Sequence, residues 1–261
     1  MAETLKANDM TMRYFRFGDP QAQPLVIIPG VSLKSVMDSE HMIAAQYNTF
    51  SNDRNVYVFD RRTDMPKEYS VYDMAEDTAL AMDMLAIKNA DIYGVSQGGM
   101  IAQVIAAKRP DLVRRLVLCS TASYVPDMSE SVLDSWAGYA ENRDIDGLMM
   151  SFAENIYTRA YCEKYHDAFI MFGKTVTDED TDRFLITVRG CEGFDVREHL
   201  GGIRCPVLVI GAELDKVFGT EPSKDIAERT GGELYIYKDM AHGVYDEDTD
   251  VIRRIKNFFC E

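Results

Sequence analysis

A chain of 261 residues with 46% hydrophobic and 27% charged residues can bury the core of one α/β domain with an insertion. Its formal net charge of −15 disfavours nucleic acid and anionic membrane surfaces as partners, because both would repel the protein. No apolar run reaches bilayer-spanning length, and the N-terminus has no signal-peptide-like apolar segment. Five cysteines without a C-x-x-C pair predict neither a disulfide scaffold nor a zinc site, so we expect a cytoplasmic location.

The first half of the chain alternates strand and helix patterns. Residues 11–18 alternate loosely and predict an opening antiparallel strand. Short apolar runs at 25–28 and 56–59 predict strands covered on both faces, and 114–119 is another run of this kind. Between them, residues 71–85 place apolar side chains at helical spacing. This alternation predicts the α/β class, with a parallel sheet between helices.

A serine flanked by glycines stands between a predicted strand and a predicted helix. The strand covers residues 90–93, the turn is Gly94-Val95-Ser96-Gln97-Gly98, and apolar side chains then recur at helical spacing over 100–105. Side chains at the two glycine positions would collide with the neighbouring strand and helix. The turn therefore exposes the serine hydroxyl beside the unpaired N–H groups of the helix N-terminus.

The alternation stops between Ala122 and Asp195. Helical patterns rich in aromatic residues and methionine replace it, and most of these side chains are expected to form the core of the insert. Trp136 and Tyr139 are our candidates for side chains that face a substrate pocket. The sheet resumes at 205–210. Further elements are predicted in the remaining chain: a helix at 222–229, a last strand at 233–237 and a closing helix from about 246 to 259.

The strand, the G-x-S-x-G turn and the helix together resemble the nucleophile elbow of the α/β-hydrolase family. This resemblance implies a mostly parallel central sheet flanked by helices, with a helical cap inserted after the sixth strand. It divides the chain into a core of residues 1–121 and 196–261 and a cap of residues 122–195. In this family such caps usually select the substrate.

The resemblance also implies that a histidine activates the nucleophile. A serine hydroxyl is a weak nucleophile at neutral pH and needs a base within hydrogen-bond reach. The chain has four histidines, and His242 alone follows the last predicted strand in a glycine-containing loop, where the family places its base. We therefore predict Ser96 as the nucleophile and His242 as the general base.

An acid should orient this histidine and stabilise the imidazolium as it forms. The family places the acid after the strand at 205–210, in a G-x-x-x-D pattern that ends here at Asp215. Glu213 in the same loop is an alternative. Asp60 and Asp195 are more distant alternatives, at the end of an earlier strand and at the end of the insert.

Two backbone N–H groups should bind the oxyanion. By resemblance they belong to Gln97, which opens the helix after the nucleophile, and to Val31, in the loop after the strand at 25–28. Ser32 next to Val31 either lines the pocket or caps the helix that follows, and capping is the simpler interpretation.

The leading functional hypothesis is a serine hydrolase of the carboxylesterase kind, which cleaves a small ester or thioester through an acyl-enzyme. It requires a small-molecule substrate and neither a metal nor an organic cofactor. The same triad also serves carbon–carbon bond hydrolysis, lactone opening, acyl transfer, aminopeptidase action and perhydrolysis. The alternative from another class is a ligand-binding protein on this scaffold without turnover. The sequence leaves the oligomeric state open, with a homodimer among the options.

Overall fold

The computed structural model describes residues 1–7 and 10–260, and one sheet runs through their centre. Its strands are β1 (Glu3–Ala7), β2 (Met10–Gly18), β3 (Gln23–Ile28), β4 (Arg54–Arg62), β5 (Ala90–Val95), β6 (Val113–Cys119), β7 (Val207–Ala212) and β8 (Glu233–Tyr237). They lie in the order β1-β2-β4-β3-β5-β6-β7-β8. The β1/β2 and β2/β4 pairs are antiparallel and the other pairs are parallel, which confirms the mostly parallel sheet.

Helices cover both faces of this sheet. Those described are α1 (Glu40–Gln46), α2 (Val71–Met84), α3 (Gln97–Lys108), α4 (Asp127–Glu141), α5 (Ile145–Ile156), α6 (Arg159–Gly173), α7 (Asp178–Arg189), α8 (Glu221–Thr230), α9 (Val244–Glu247) and α10 (Thr249–Cys260). Apolar residues of α2, α3 and α8 join the core on one face, whereas α1 packs against the other face together with the buried side of α10. None of these helices, within the described ranges, is long and apolar enough to cross a lipid bilayer.

Alternation along the central strands explains the two cores. Successive side chains of a strand point to opposite faces, so Val26 and Ile28 of β3 belong to the core under α2 and α3, and Ile27 belongs to the core under α10. All three side chains are at most 2% exposed. The sequence of a strand that is buried on both faces is a continuous apolar run, and this pattern predicted β3.

Four helices, α4 to α7, form the inserted cap between β6 and β7. Two stretches of chain pair at its neck: the Val125 N–H donates to the Phe194 carbonyl at 3.2 Å, and the Val196 N–H donates to the Ser123 carbonyl at 2.8 Å. A short antiparallel bridge therefore closes the insert where it leaves and rejoins the core. The helical cap is confirmed, and its helices lie inside residues 122–195, whose limits as a domain stay a prediction.

The structure differs from the sequence expectations at both ends of the chain. Strand β1 was not predicted, because its sequence ETLKA has no apolar run and lies at the exposed edge of the sheet. The single closing helix was wrong: α9 and α10 are separated at Asp248, whose backbone is extended (φ −126°, ψ 116°). The Asp248 carboxylate accepts the Asp250 N–H at 2.8 Å, and this bond caps the start of α10.

Candidate active site

The turn between β5 and α3 holds Ser96 in a strained backbone conformation. Its φ of 52° and ψ of −122° lie outside the regions that side chains usually adopt. The flanking glycines make this turn possible: a Cβ at Gly94 would lie 2.6 Å from the Gly98 carbonyl oxygen, and a Cβ at Gly98 would lie 1.9 Å from the Ile28 carbonyl oxygen. The glycines of the G-x-S-x-G motif are therefore required for close packing of strand, turn and helix.

Neighbouring elements hold this turn on both sides. The Ser96 N–H donates to the Cys119 carbonyl at 3.0 Å, and the Thr121 hydroxyl donates to the Ser96 carbonyl at 2.6 Å. A Cβ at Gly30, in the loop after β3, would lie 3.0 Å from the Ser96 Cβ. These contacts compensate for the strain and fix the serine at the carboxyl end of the sheet, where ligands bind in open α/β sheets.

A buried histidine–carboxylate pair lies at the same end of the sheet. His242 Nδ1 is 2.9 Å from Asp215 Oδ2, and each side chain is 2% exposed. Asp215 Oδ1 accepts the N–H groups of Val217 at 2.7 Å and Phe218 at 2.9 Å. With one oxygen held by two backbone donors, the other faces the imidazole in a fixed direction. A carboxylate at this distance assigns the proton to Nδ1 and leaves Nε2 as an acceptor.

The other acids considered from the sequence are engaged elsewhere or exposed. Glu213 is exposed. Asp195 accepts four hydrogen bonds from Arg197, at 2.5 to 3.1 Å. Asp60 accepts a hydrogen bond from Ser35 Oγ at 2.5 Å and forms an ion pair with Arg183 of α7. Of the four candidates, only Asp215 is hydrogen-bonded to His242 within the described chain.

Ser96 and His242 line one small cavity under the cap. Val31 and Gln97, the two predicted oxyanion donors, line it as well. The Val31 N–H has no acceptor among the described residues, and Gln97 is the first residue of α3, where helix N–H groups lack an intrahelical partner. The site therefore offers a hydroxyl, an imidazole acceptor and two candidate backbone donors around one volume.

The three candidate pocket residues fall in different places. Trp136 is 3% exposed and lines the cavity with Ser96. Tyr139 does not line it, because its ring lies on Gly147 of α5, where the missing side chain leaves room. Ser32 lines a neighbouring cavity and donates its hydroxyl to the Lys34 carbonyl at 2.7 Å.

Ser32 is not the helix cap that the simpler interpretation expected. The Ser35 hydroxyl instead accepts the Met37 N–H at 3.2 Å and caps the short 3₁₀ helix Val36–Ser39. Both serines precede the same turn of helix, but only the one immediately before it can reach the N–H two residues on. The capping interpretation of Ser32 was therefore wrong by three positions.

A buried polar network that the sequence did not reveal connects the loop after β3 to the cap. Arg61, 4% exposed at the end of β4, donates to the Pro29 carbonyl at 2.8 Å and to Gln97 Oε1 at 3.1 Å. Burial lowers the pKa of the Arg61 guanidinium to about 10. The Gln97 amide in turn donates to the Thr187 carbonyl of α7 at 2.5 Å. The elbow and the cap thus share one hydrogen-bonded unit.

The cap also holds the loop that carries the histidine. The Gly243 N–H donates to the Ile156 carbonyl at 2.6 Å, and the Tyr157 hydroxyl donates to Asp246 at 2.9 Å. Glu247 accepts the Thr158 N–H at 2.9 Å. Two carboxylates at the start of the closing segment, Asp246 and Glu247, therefore bind the α5–α6 connection.

Cysteine is a second nucleophile type present at the site, and its environment disfavours reactivity. Cys191 lines the cavity with Ser96, and burial raises the pKa of its thiol to about 11. The Gln97 amide lies 3.2 Å from its sulfur. Cys119 is also buried, and the pKa of its thiol is raised to about 12. Because the thiolate is the reactive form, neither thiol is activated near neutral pH.

Comparison with known proteins agrees with this arrangement of strands, turn and helices. The family model for the alpha/beta hydrolase fold matches residues 23–148. The crystal structure of MGS-M2, an alpha/beta hydrolase enzyme from a Medee basin deep-sea metagenome library, superposes with a TM-score of 0.89 and covers 99% of this chain and 98% of its own at 20% identity. The chain has the α/β-hydrolase fold. The fold expectation from the sequence is thereby confirmed.

Two relatives found by sequence comparison have named activities. The 3-oxoadipate enol-lactonase 2 of Acinetobacter baylyi is 21% identical over an alignment of 223 positions, which covers 82% of this chain and 80% of the relative. The serine hydrolase BPHL of Mus musculus is 20% identical over an alignment of 268 positions, gaps included, which covers 97% of this chain and 84% of the relative. Both named activities are hydrolytic. Identities of this size do not determine which kind of bond this chain would cleave.

Proposed function

We propose that this α/β hydrolase cleaves small carboxylic esters or thioesters through an acyl-enzyme on Ser96. The observation that carries the proposal is the Asp215–His242 pair at 2.9 Å, with its histidine lining the same cavity as Ser96. A hydroxyl, a base and an acid that orients the base are the minimum set for nucleophilic acyl transfer. The named activities of two relatives, a serine hydrolase and an enol-lactonase, support the same chemistry.

In the first half of the reaction, Ser96 Oγ attacks the carbonyl carbon while His242 Nε2 takes the hydroxyl proton. The negative charge on the carbonyl oxygen is bound by the N–H groups of Val31 and Gln97. His242 then gives the proton to the leaving alcohol or thiol as the bond to carbon breaks. Asp215 stabilises the imidazolium in both steps without being protonated itself.

In the second half, His242 removes a proton from water, and the resulting hydroxide attacks the acyl carbon. The tetrahedral intermediate collapses to the carboxylic acid, and the proton returns to Ser96 Oγ. The backbone N–H pair at Val31 and Gln97 serves both tetrahedral intermediates. The step consumes one water, and no other reactant is required.

The size of the cavity favours a small acyl group. The space beside Ser96 has a volume of about 20 Å³, roughly the room for one water molecule by the same measure. Apolar side chains such as Leu133, Phe152 and Val217 fill the surroundings. A long acyl chain would require the cap helices to move, whereas an acyl group of a few atoms needs only side-chain adjustment.

Lactone opening is the second candidate, because an enol-lactonase is among the relatives. The two reactions share every residue and differ in the leaving group, which stays attached to the acyl chain when the substrate is a lactone. The enclosed cavity then has to hold the whole ring.

A turnover screen distinguishes these candidates. p-Nitrophenyl acetate, butyrate and octanoate, an acyl thioester, a five-membered lactone and an aminoacyl anilide are compared at equal concentration, with Ser96→Ala as the test variant. We expect short esters to be cleaved fastest and Ser96→Ala to lose on the order of 10⁶-fold in kcat. The matched control is Ser131→Ala, an exposed serine of α4, with unchanged turnover. Ligand binding without any Ser96-dependent turnover would support the non-catalytic alternative.

A further inference from the structure

One residue that lines the cavity with Ser96 carries a buried donor without an acceptor. The Trp136 indole N–H is among six buried side-chain polar atoms that have no hydrogen-bond partner in the described part of the chain. Of the residues that carry these six atoms, only Trp136 lines the cavity with Ser96 and His242. Buried donors in native proteins are nearly always satisfied, so the exception calls for an acceptor from outside the chain.

The indole is held firmly on the cap. Trp136 is 3% exposed, and its ring centroid lies 4.8 Å from that of Phe152, which in turn lies 6.0 Å from the ring of Phe184. Leu133, one turn earlier on α4, lines the same cavity. Because the ring is packed in this way, its N–H keeps a fixed direction. A donor with a fixed direction is preorganised to bind one acceptor of a ligand.

Two polar side chains near this part of the cavity already have hydrogen-bond partners in the protein. The Gln97 amide donates to the Thr187 carbonyl at 2.5 Å, and the Ser129 hydroxyl on the same helix donates to the Val217 carbonyl at 2.5 Å. The side chains that share the cavity wall with the indole are otherwise mostly apolar, among them Ile156 and Phe218. None of the described residues accepts the indole N–H, so an oxygen that accepts it has to arrive with a ligand or as a water molecule.

Two spaces meet at the loop after β3, and they differ in exposure. The enclosed cavity with Trp136 has about 20 Å³, whereas a more open cavity of about 170 Å³, which contains Ser32 and Gln46, shares Gly30 and Val31 with it. The leaving group has to depart before water attacks the acyl-enzyme, so we assign it to the more open cavity. The acyl group stays bound to Ser96 during this step, so we assign it to the smaller cavity that Trp136 lines.

We propose that the Trp136 N–H donates a hydrogen bond to an oxygen on the acyl portion of the substrate. This rests on the proposed function and narrows its substrate class to esters or lactones whose acyl group carries a keto, hydroxyl, ether or carboxylate oxygen. A site built to donate a hydrogen bond discriminates against an analogue that lacks the acceptor, because the buried donor is then left unpaired.

The test uses two p-nitrophenyl esters of the same length, methoxyacetate and butyrate, which differ by an ether oxygen in place of one methylene. Trp136→Phe removes the N–H and keeps an aromatic ring. We expect the variant to lower kcat/KM for methoxyacetate about tenfold more than for butyrate. Comparing each ester between the two enzymes cancels the difference in intrinsic reactivity. Tyr139→Phe, which removes a hydroxyl from the same helix outside the cavity, is the matched control with an unchanged ratio.

A second measurement needs no substitution of the indole. The chain contains one tryptophan, so a ¹⁵N-labelled protein has a single indole N–H resonance. In the Ser96→Ala variant, methoxyacetate ester should shift this resonance downfield, and butyrate ester should leave it nearly in place. This measurement decides the question even if Trp136→Phe folds poorly.

The outcomes separate this inference from the proposed function. Equal losses on both esters, together with an indole resonance that responds equally to both, would show that Trp136 is only a packing residue or is satisfied by water. A selective effect confined to oxygen in the alcohol part, tested with 2-methoxyethyl and butyl butyrate, would overturn the assignment to the acyl side. Absence of any Ser96-dependent turnover would instead remove the proposed function itself.

Discussion

Two buried carboxylates lie near opposite ends of the parallel sheet, and their partners differ in kind. Near the amino end of β5, Asp91 Oδ2 accepts Arg54 Nε at 3.1 Å and Arg114 at 2.7 Å. Both guanidinium groups also donate to the Phe259 carbonyl. Past the carboxyl end of β7, Asp215 faces a single histidine.

The difference shows what each carboxylate contributes. The Asp91 cluster joins three strands, β4, β5 and β6, to the last turn of α10. Arginine is a permanent cation without an acceptor atom, so neither guanidinium group can take up a proton. Histidine keeps one ring nitrogen free as an acceptor when the other is bound to a carboxylate. A buried charge is therefore used for stability at one end and, in our proposal, for proton transfer at the other. Three substitution experiments separate these roles, from the largest expected effect to the smallest.

The first changes the acid beside the histidine. Asp215→Asn keeps an oxygen that accepts the Val217 and Phe218 N–H groups but places an amide donor against His242 or forces the wrong tautomer. We expect kcat to fall about 10⁴-fold, with little change in the free energy of unfolding. The measurement is steady-state turnover of a short p-nitrophenyl ester.

The control for this experiment is Glu213→Gln, which changes the exposed acid of the same loop. We expect its turnover to match that of the unsubstituted protein. If Asp215→Asn also turns over at a normal rate, the assignment of the acid is wrong.

The second changes the acid at the other end of the sheet. Asp91→Asn takes the buried anion from two guanidinium groups, 9% and 28% exposed, and leaves Arg54 only its longer pair with the more exposed Asp53. We expect the free energy of unfolding to fall by about 3 kcal/mol, because removing one partner leaves buried charge uncompensated. Urea unfolding measures this loss, and kcat of the folded fraction should stay within about twofold of the unsubstituted value.

Asp53→Asn is the matched control, since Asp53 pairs with the same Arg54 at 3.8 Å but is 37% exposed. A partly exposed pair contributes roughly 0–1 kcal/mol. If Asp91→Asn lost activity without losing stability, the comparison between the two ends of the sheet would fail.

The third experiment changes a carboxylate at the protein surface, where we expect the smallest effect on stability. Asp83 accepts hydrogen bonds from Arg109 and Lys88, which lower the pKa of its carboxyl from 3.8 to about 2. Because the folded pKa lies below the unfolded one, the stabilisation is fully present above about pH 4 and is lost as the pH falls towards 2. Both partners are partly exposed, so we expect less than about 1 kcal/mol.

Unfolding free energies at pH 5 and pH 2.5 test this sign. Asp83→Asn should lose less stability over that interval than the unsubstituted protein, and its turnover at neutral pH should be unchanged. An equal loss in both proteins would mean that these surface pairs do not contribute to acid sensitivity.

The parts of the fold that the sequence predicted are those with a strong local pattern. Strand β3 reads as an uninterrupted apolar run because both of its faces are buried, and the G-x-S-x-G turn is recognisable because two glycines are needed within five residues. Strand β1 lacks such a pattern, since it lies at the sheet edge with mostly exposed side chains. The break at Asp248 depends on a local carboxylate–amide bond that competes with helix continuation.

The candidate site divides in the same way. Ser96, Asp215 and His242 follow strands or a turn in a known order, so their positions along the chain were informative. The contacts that join cap and core could not be predicted from the sequence. Long-range packing alone brings Arg183 to Asp60, and Ile156 to Gly243. Trp136 and Tyr139 are three residues apart on one helix, and the absence of a side chain at Gly147 draws one ring away from the cavity.

Covalent labelling tests the central claim most directly. A fluorophosphonate probe is incubated with the protein, and the modified peptide is located by mass spectrometry. We predict one label per chain, on Ser96, formed rapidly in the unsubstituted protein, slowly in Asp215→Asn and not at all in Ser96→Ala. Labelling of another residue, or no labelling of a folded protein that still binds short esters, would contradict the assignment of Ser96 as a nucleophile activated by His242.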